Sequence, residues 1–103
     1  MVRRQVEIDC RSGLHLRPAT AMCTEAQKYE SVIRLAYGEK TANAKSVLSV
    51  LACGVGNGAE VEITAEGPDE EKALNAVVQA LLESLRPDPE EGKEVTPDEG
   101  AEK

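Results

Sequence analysis

Apolar and polar residues alternate in four short segments of the chain, and this alternation predicts four β-strands, each with one buried and one exposed face. The apolar positions are Val6, Ile8 and Cys10; Ile33, Leu35 and Tyr37; a short stretch over 40–44; and Val61, Ile63 and Ala65. Gly38-Glu39 separates the second strand from the third and predicts a tight turn between them. The second and third strands should therefore form a hairpin.

Three other segments have the spacing of helices. From Pro18 onward, apolar residues recur every three or four positions, and a longer stripe of the same kind runs to Leu85. Pro18 suits a first helical turn because its missing N–H would have no partner there. Ser46 predicts the N-cap of a short helix, and Asp69 predicts the N-cap of the last helix.

The predicted order is strand, helix, strand, strand, short helix, strand, helix. Strands with one apolar face need a cover, which the amphipathic helices supply. The sequence therefore predicts an α+β fold: an open-faced β-sandwich with a four-stranded antiparallel sheet covered on one side by three helices. A chain of 103 residues fits one such domain.

The net charge of −7 is concentrated at the C-terminal end of the sequence. Residues 87–103 hold seven acidic and two basic residues, with three prolines and one large apolar side chain. Such a segment has too little apolar surface to offset the cost of ordering. We therefore predict a folded domain over 1–86 and an acidic, disordered tail over 87–103.

The composition also argues against several functions. The chain has no Trp or Phe and two Tyr, so it lacks the aromatic residues on which nucleic-acid binders stack bases. One His and three Cys without a CxxC pair give no recognisable metal site, and we expect no cofactor. The first residues lack the apolar run of a signal peptide, and no stretch predicts a membrane span. We expect a cytoplasmic protein with reduced, buried cysteines.

The candidate chemistry lies in the segment GLHLRPA at 13–19, between a predicted strand and a predicted helix. The side chain of His15 is an imidazole, which is a nucleophile toward phosphorus when it is neutral. A helix N-terminus favours an anion, and the guanidinium of Arg17 matches phosphate oxygens. Gly13 permits an unusual backbone turn. On the residues alone, His15 could equally be a helix cap or an ordinary surface residue.

This segment resembles the active-site signature of the HPr family, the histidine-containing phosphocarriers of the bacterial phosphoenolpyruvate-dependent phosphotransferase system. AKSVLSVL at 44–51 resembles the family's second signature, around a regulatory serine. EGPDEEKAL at 66–74 resembles its last strand-to-helix joint. The three segments follow the family's order and spacing, and the resemblance extends over about residues 1–85.

The resemblance implies that His15 accepts a phosphoryl group on Nδ1 from enzyme I and passes it to an EIIA-type acceptor in sugar transport. Leu16, Arg17 and Pro18 would cradle the phosphate, with Arg17 also supporting partner docking. Such a protein is a carrier without independent turnover, needs no metal of its own, and is expected to be a monomer.

Two further roles come from the second signature. The resemblance implies that Ser46 is a target for a serine kinase/phosphorylase of HPr in many relatives, which is compatible with its predicted capping role. It also implies a docking surface that includes Leu16, Val47, Leu48 and Leu51. The helical spacing of the last three is equally compatible with burial in the core.

The sequence departs from the family at positions that concern partners. Leu16 stands where the family usually has a small alanine, and Ser49, Ala52 and Cys53 differ from sugar-transport members. A regulatory protein of the nitrogen-related or catabolite-control kind is therefore an alternative, as is a pure interaction module with His15 as a cap. A hydrolase is disfavoured, since His15 has no nucleophile or carboxylate partner nearby in the sequence.

Overall fold

The computed structural model describes residues 1–9 and 13–85. Its strands are β1 (Val2–Glu7), β2 (Val32–Tyr37), β3 (Lys40–Asn43) and β4 (Glu60–Glu66), and its helices are α1 (Leu16–Ala26), α2 (Val47–Ala52) and α3 (Glu70–Leu85). They alternate in the predicted order, and the strands form one sheet. The predicted α+β fold, with an open-faced sheet and three helices, is confirmed.

The four strands are all antiparallel and lie in the order β1-β4-β2-β3. Val6 pairs with Val61 between β1 and β4, and Ile63 pairs with Leu35 between β4 and β2. These positions are buried, and the alternate residues of the strands face away from the helices. The sheet therefore has a covered face and an open face.

Aliphatic side chains fill the space between the sheet and the helices. The largest fully buried ones include Ile8, Met22, Ile33, Leu35, Ile63 and Leu81. Both tyrosines pack only at the margin of this core. A core without aromatic side chains is therefore sufficient to position the helices.

Helix α1 contacts both α2 and α3. Gln27, just after α1, donates from Nε2 to the Lys45 carbonyl, which precedes α2, at 3.0 Å. Glu30 and Ser31 likewise donate their backbone N–H groups to Asp69, which precedes α3. The end of α1 thus lies beside the starts of its two neighbours, so α1 runs antiparallel to both.

The observed element boundaries differ from the predictions at two places near the candidate chemistry. β1 ends at Glu7, although Ile8 is buried and exchanges two backbone hydrogen bonds of 2.8 Å with the loop before β4. α1 begins at Leu16, two residues earlier than predicted, so Pro18 is its third residue. Proline is tolerated there because the first-turn N–H groups lack intrahelical partners.

Asp69 lies at the predicted N-cap position of α3, and its side chain has an additional role. Its carbonyl accepts from Ala73 N–H at 2.8 Å, as an N-cap carbonyl should, but its carboxylate binds the segment before β2. It accepts from the backbone N–H groups of Glu30 and Ser31 at 3.0 Å each, and from the Ser31 hydroxyl. The carboxylate therefore ties the α1–β2 connection to the start of α3.

Replacing Asp69 with Asn should flatten the acid side of the stability profile. The hydrogen bond from the Ser31 hydroxyl, followed by those from the backbone, lowers the pKa of Asp69 below its usual 3.8. A lowered pKa adds stability above the unfolded-state pKa, and this stability is lost as pH falls through the folded-state pKa. Urea unfolding between pH 6 and pH 2 should show a shallower loss in Asp69→Asn than in the parent protein. Equal slopes would contradict this assignment.

Two of the three cysteines are described, and both Cys23 and Cys53 are buried free thiols. Burial raises the pKa of Cys23 to about 11, so this thiol stays protonated at neutral pH. Cys10 and the predicted acidic tail at 87–103 lie outside the described residues. The predicted boundary at residue 86 and the predicted disorder of the tail stay predictions.

Candidate functional site

His15 occupies the N-cap position of α1, with an extended backbone (φ −99°, ψ −165°). Its carbonyl accepts the first helical hydrogen bond, from Ala19 N–H at 3.0 Å. Among the described residues of α1, no backbone N–H donates a capping hydrogen bond to the His15 side chain. The imidazole is partly exposed. The capping alternative therefore fails as an explanation of why a histidine stands here.

Gly13 fixes the approach of the chain to His15. It has a left-handed backbone with φ +70°, and a Cβ built there would lie 2.6 Å from the Val55 carbonyl oxygen and 2.9 Å from the Gly56 Cα. The next residue, Leu14, is buried and donates its N–H to the same Val55 carbonyl at 2.9 Å. The loop after α2 therefore packs directly against the segment that leads to His15.

The first turn of α1 directs its N–H groups toward the region next to His15. Ala19 N–H donates within the helix, and Pro18 has no N–H to donate. The other N–H groups of the first turn belong to Leu16 and Arg17. Within the predicted cradle, Pro18 thus acts only by fixing the backbone, and its ring is buried.

Two side chains of this turn face solvent. Leu16 is 62% exposed, and Arg17 is also exposed. Arg17 is the second residue of α1, so its positive charge belongs to the same first turn as the N-cap histidine. The first turn of α1 therefore brings a partly exposed histidine and an exposed arginine together at the surface of the protein.

Ser46 caps α2 as predicted. Its hydroxyl accepts a hydrogen bond from Ser49 N–H at 3.3 Å, and its backbone is extended. The side chain is half-buried, not fully enclosed. Its capping role is confirmed, and its phosphorylation stays a prediction.

The predicted docking residues on α2 divide into two kinds. Leu48 is 80% exposed, whereas Val47 and Leu51 are half-buried and pack against the core. An exposed leucine of this degree makes no contribution to the core, so Leu48 is the member of this helix that is most available to a partner.

Sequence reasoning missed two contributors, Val55 and Gly56. Both lie in the loop after α2, which passes directly beside Gly13. A close backbone approach of this kind leaves no pattern within either segment alone. The positive φ of Gly13 was the one feature that the residue type suggested.

The described part of the chain holds no group of three or more histidine, cysteine, aspartate or glutamate side chains placed to hold a metal ion. Nor does any helix in residues 1–9 and 13–85 have the length and apolar character needed to cross a bilayer.

The fold and site define a class of small α+β sandwiches that present a histidine at the start of their first helix. The comparison with known families makes this specific. A family model for the phosphorylation site of the HPr component of the phosphotransferase system matches residues 2–83. The chain belongs to this HPr family.

Solved structures of phosphocarriers are similar over most of their length. A histidine-containing phosphocarrier protein of Mycoplasma is 34% identical with a TM-score of 0.79, covering 82% of this chain and 97% of its own. An HPr from Thermoanaerobacter tengcongensis is 36% identical with a TM-score of 0.76, covering 82% and 96%.

A regulatory relative is also similar. The catabolite repression protein Crh of Bacillus subtilis is 33% identical with a TM-score of 0.64, and the match covers 84% of this chain and all of that one. That structure is a dimer with a swapped domain. The expectation that the present chain is a monomer therefore stays a prediction.

Proposed function

We propose that this chain is a phosphoryl carrier that accepts a phosphoryl group from phospho-enzyme I on His15 and passes it to an EIIA-type acceptor. The observation that supports this most is the placement of His15 at the N-cap of α1 with its imidazole partly exposed and unused as a cap. A carrier needs this arrangement because its histidine must meet two proteins in succession.

The transfer is a displacement at phosphorus. The lone pair of the His15 Nδ1 attacks, the Nδ1–phosphorus bond forms, and the bond between phosphorus and the donor breaks, with its electron pair remaining on the donor. The N–H groups of the first turn and the charge of Arg17 stabilise the negative oxygens during transfer. Donation to the acceptor follows the same course with Nδ1 as the leaving group.

The carrier has no turnover of its own in this proposal, and it needs no cofactor. Its two contacts should be small and short-lived, and Leu16 and Leu48 supply apolar surface for them, with Val47 and Leu51 at the margin. Enzyme I and the acceptor reach such a protein in the cytoplasm, which is where we place it. Nucleic acid is disfavoured as a partner because the net charge is −7.

A regulatory function is the second candidate, and the similarity to Crh favours it. In that case the phosphorylation state of the chain, at His15 or at Ser46 through a serine kinase/phosphorylase, would act as a signal. A phosphate on Ser46 would stand at the start of α2, where negative charge is electrostatically favoured. Signalling through His15 would use the same histidine chemistry as the carrier and differ in the acceptor, whereas signalling through Ser46 would not use that chemistry.

The experiment that separates them follows the phosphate after it has been loaded. The chain is phosphorylated with phosphoenolpyruvate, Mg²⁺ and enzyme I, isolated, and mixed with EIIA domains from the same bacterium. A carrier loses its label to at least one EIIA domain within seconds to minutes. Retention of the label with every EIIA domain would overturn the carrier proposal and leave the regulatory one.

A further inference from the structure

Leu16 is a large apolar side chain that does not belong to the hydrophobic core. It is 62% exposed and directly follows His15 in the chain. A donor whose phosphorus comes within bonding distance of His15 must cover this side chain at the same time. The shape of the donor beside its phosphoryl group therefore has to accommodate a leucine.

The helix geometry shows which side of α1 Leu16 occupies. Leu16 and Gln27 are eleven positions apart, about three helical turns, and so lie on one face. Gln27 binds the Lys45 carbonyl ahead of α2, so this face is directed toward α2. The end of α2 lies beside the histidine segment through the Leu14–Val55 hydrogen bond. Leu16 therefore lies on the side of α1 that faces α2.

A second exposed leucine, Leu82, lies on a different side of the fold. It is 46% exposed on α3 and lies seven positions, about two turns, after Asn75. Asn75 accepts a hydrogen bond from Arg4 of the edge strand β1 at 2.9 Å. Leu82 thus lies on the β1 side of α3, away from α1 and α2, and serves as a matched control.

We infer that Leu16 is a specificity-determining residue, which restricts phosphoryl transfer to donors that have an apolar depression beside their phosphoryl group. This inference rests on the proposed function. A donor with such a depression gains affinity by removing the leucine from water. A donor with a flat or polar surface there is held away from His15, because the side chain cannot retreat into a filled core. Discrimination by attraction and by obstruction together is the usual basis of specificity.

The test measures phosphoryl transfer from two donors. One is enzyme I from the same bacterium, and the other is an enzyme I whose own carrier has alanine after the histidine. With the first donor, Leu16→Ala should raise the KM for the carrier about tenfold and leave kcat within about twofold. This is expected because the donor no longer buries the apolar leucine side chain when it binds. With the second donor, the same variant should lower KM. Leu16→Met should behave like the parent, since it keeps the apolar volume.

Leu82→Ala supplies the control and should change neither KM. Equal effects of Leu16→Ala on the two donors, or a loss in kcat at constant KM, would overturn the assignment. Failure of the proposed function has a different signature, because the unsubstituted chain would then accept no phosphate from either enzyme I.

Discussion

Gly13→Ala should destabilise the protein by about 3 kcal/mol and slow phosphoryl transfer to His15. About 1–2 kcal/mol comes from placing a side chain in the left-handed region. The rest comes from overlap with backbone, because the new Cβ would lie 2.6 Å from the Val55 carbonyl oxygen. Urea unfolding followed by circular dichroism measures the first effect.

Gly54→Ala separates strain from overlap. Gly54 also has a positive φ, +66°, but no heavy atom lies within 4 Å of the Cβ position. This variant should therefore lose only about 1–2 kcal/mol, the cost of the left-handed backbone alone. If the two glycine variants lost equal stability, the close approach of Gly13 to the loop after α2 would be wrong.

The rate of phosphoryl transfer tests the position of His15, which the free energy of unfolding does not report. His15 lies only two residues after Gly13, so any movement that relieves the overlap at Gly13 also displaces His15. Gly13→Ala should therefore transfer more slowly than Gly54→Ala at a temperature where both are folded. Equal rates would show that the position of His15 does not depend on this contact.

Arg17→Ala should lower the rate of transfer to His15 about 100-fold without a comparable loss of stability. Removing one group that stabilises developing negative charge typically costs two to three orders of magnitude in rate. Because Arg17 is exposed, its loss leaves no cavity in the core. The rate is measured with radioactive phosphoenolpyruvate and catalytic amounts of enzyme I, in reactions that are quenched at set times.

Two variants sharpen this prediction. Arg34 is an exposed arginine in the middle of β2, and its neighbours Ile33 and Leu35 face the helices, so Arg34 lies on the open face of the sheet. Arg34→Ala should leave the rate unchanged. Arg17→Lys should fall between the parent and Arg17→Ala, since lysine keeps the charge but loses the planar pair of donors. A similar loss of rate in Arg34→Ala would show that the effect comes from the total charge of the protein and not from the position of Arg17.

The architecture could be predicted because each element has a clear local pattern. The alternation of Val61, Ile63 and Ala65 and the helical stripe ending at Leu85 both correspond to observed elements. Ser46 was recognisable as a cap because its role depends on residues next to it. Such features need no knowledge of distant parts of the chain.

The features that escaped prediction depend on contacts between segments far apart in sequence. The carboxylate of Asp69 binds Ser31 across 38 positions, although the local sequence indicated a helix cap. The packing of Gly13 on Gly56 likewise depends on how two distant segments are brought together. His15 could be singled out from its segment, but its side chain could be separated from a capping role only by the structure.

The most direct test of the account is where the first phosphate goes. The chain and its His15→Ala variant are incubated with phosphoenolpyruvate, Mg²⁺ and enzyme I from the same bacterium, and their intact masses are measured before and after mild acid. We predict one acid-labile phosphate on the parent chain and none on the variant. An acid-stable phosphate, or equal labelling of the two proteins, would contradict phosphoryl transfer through His15.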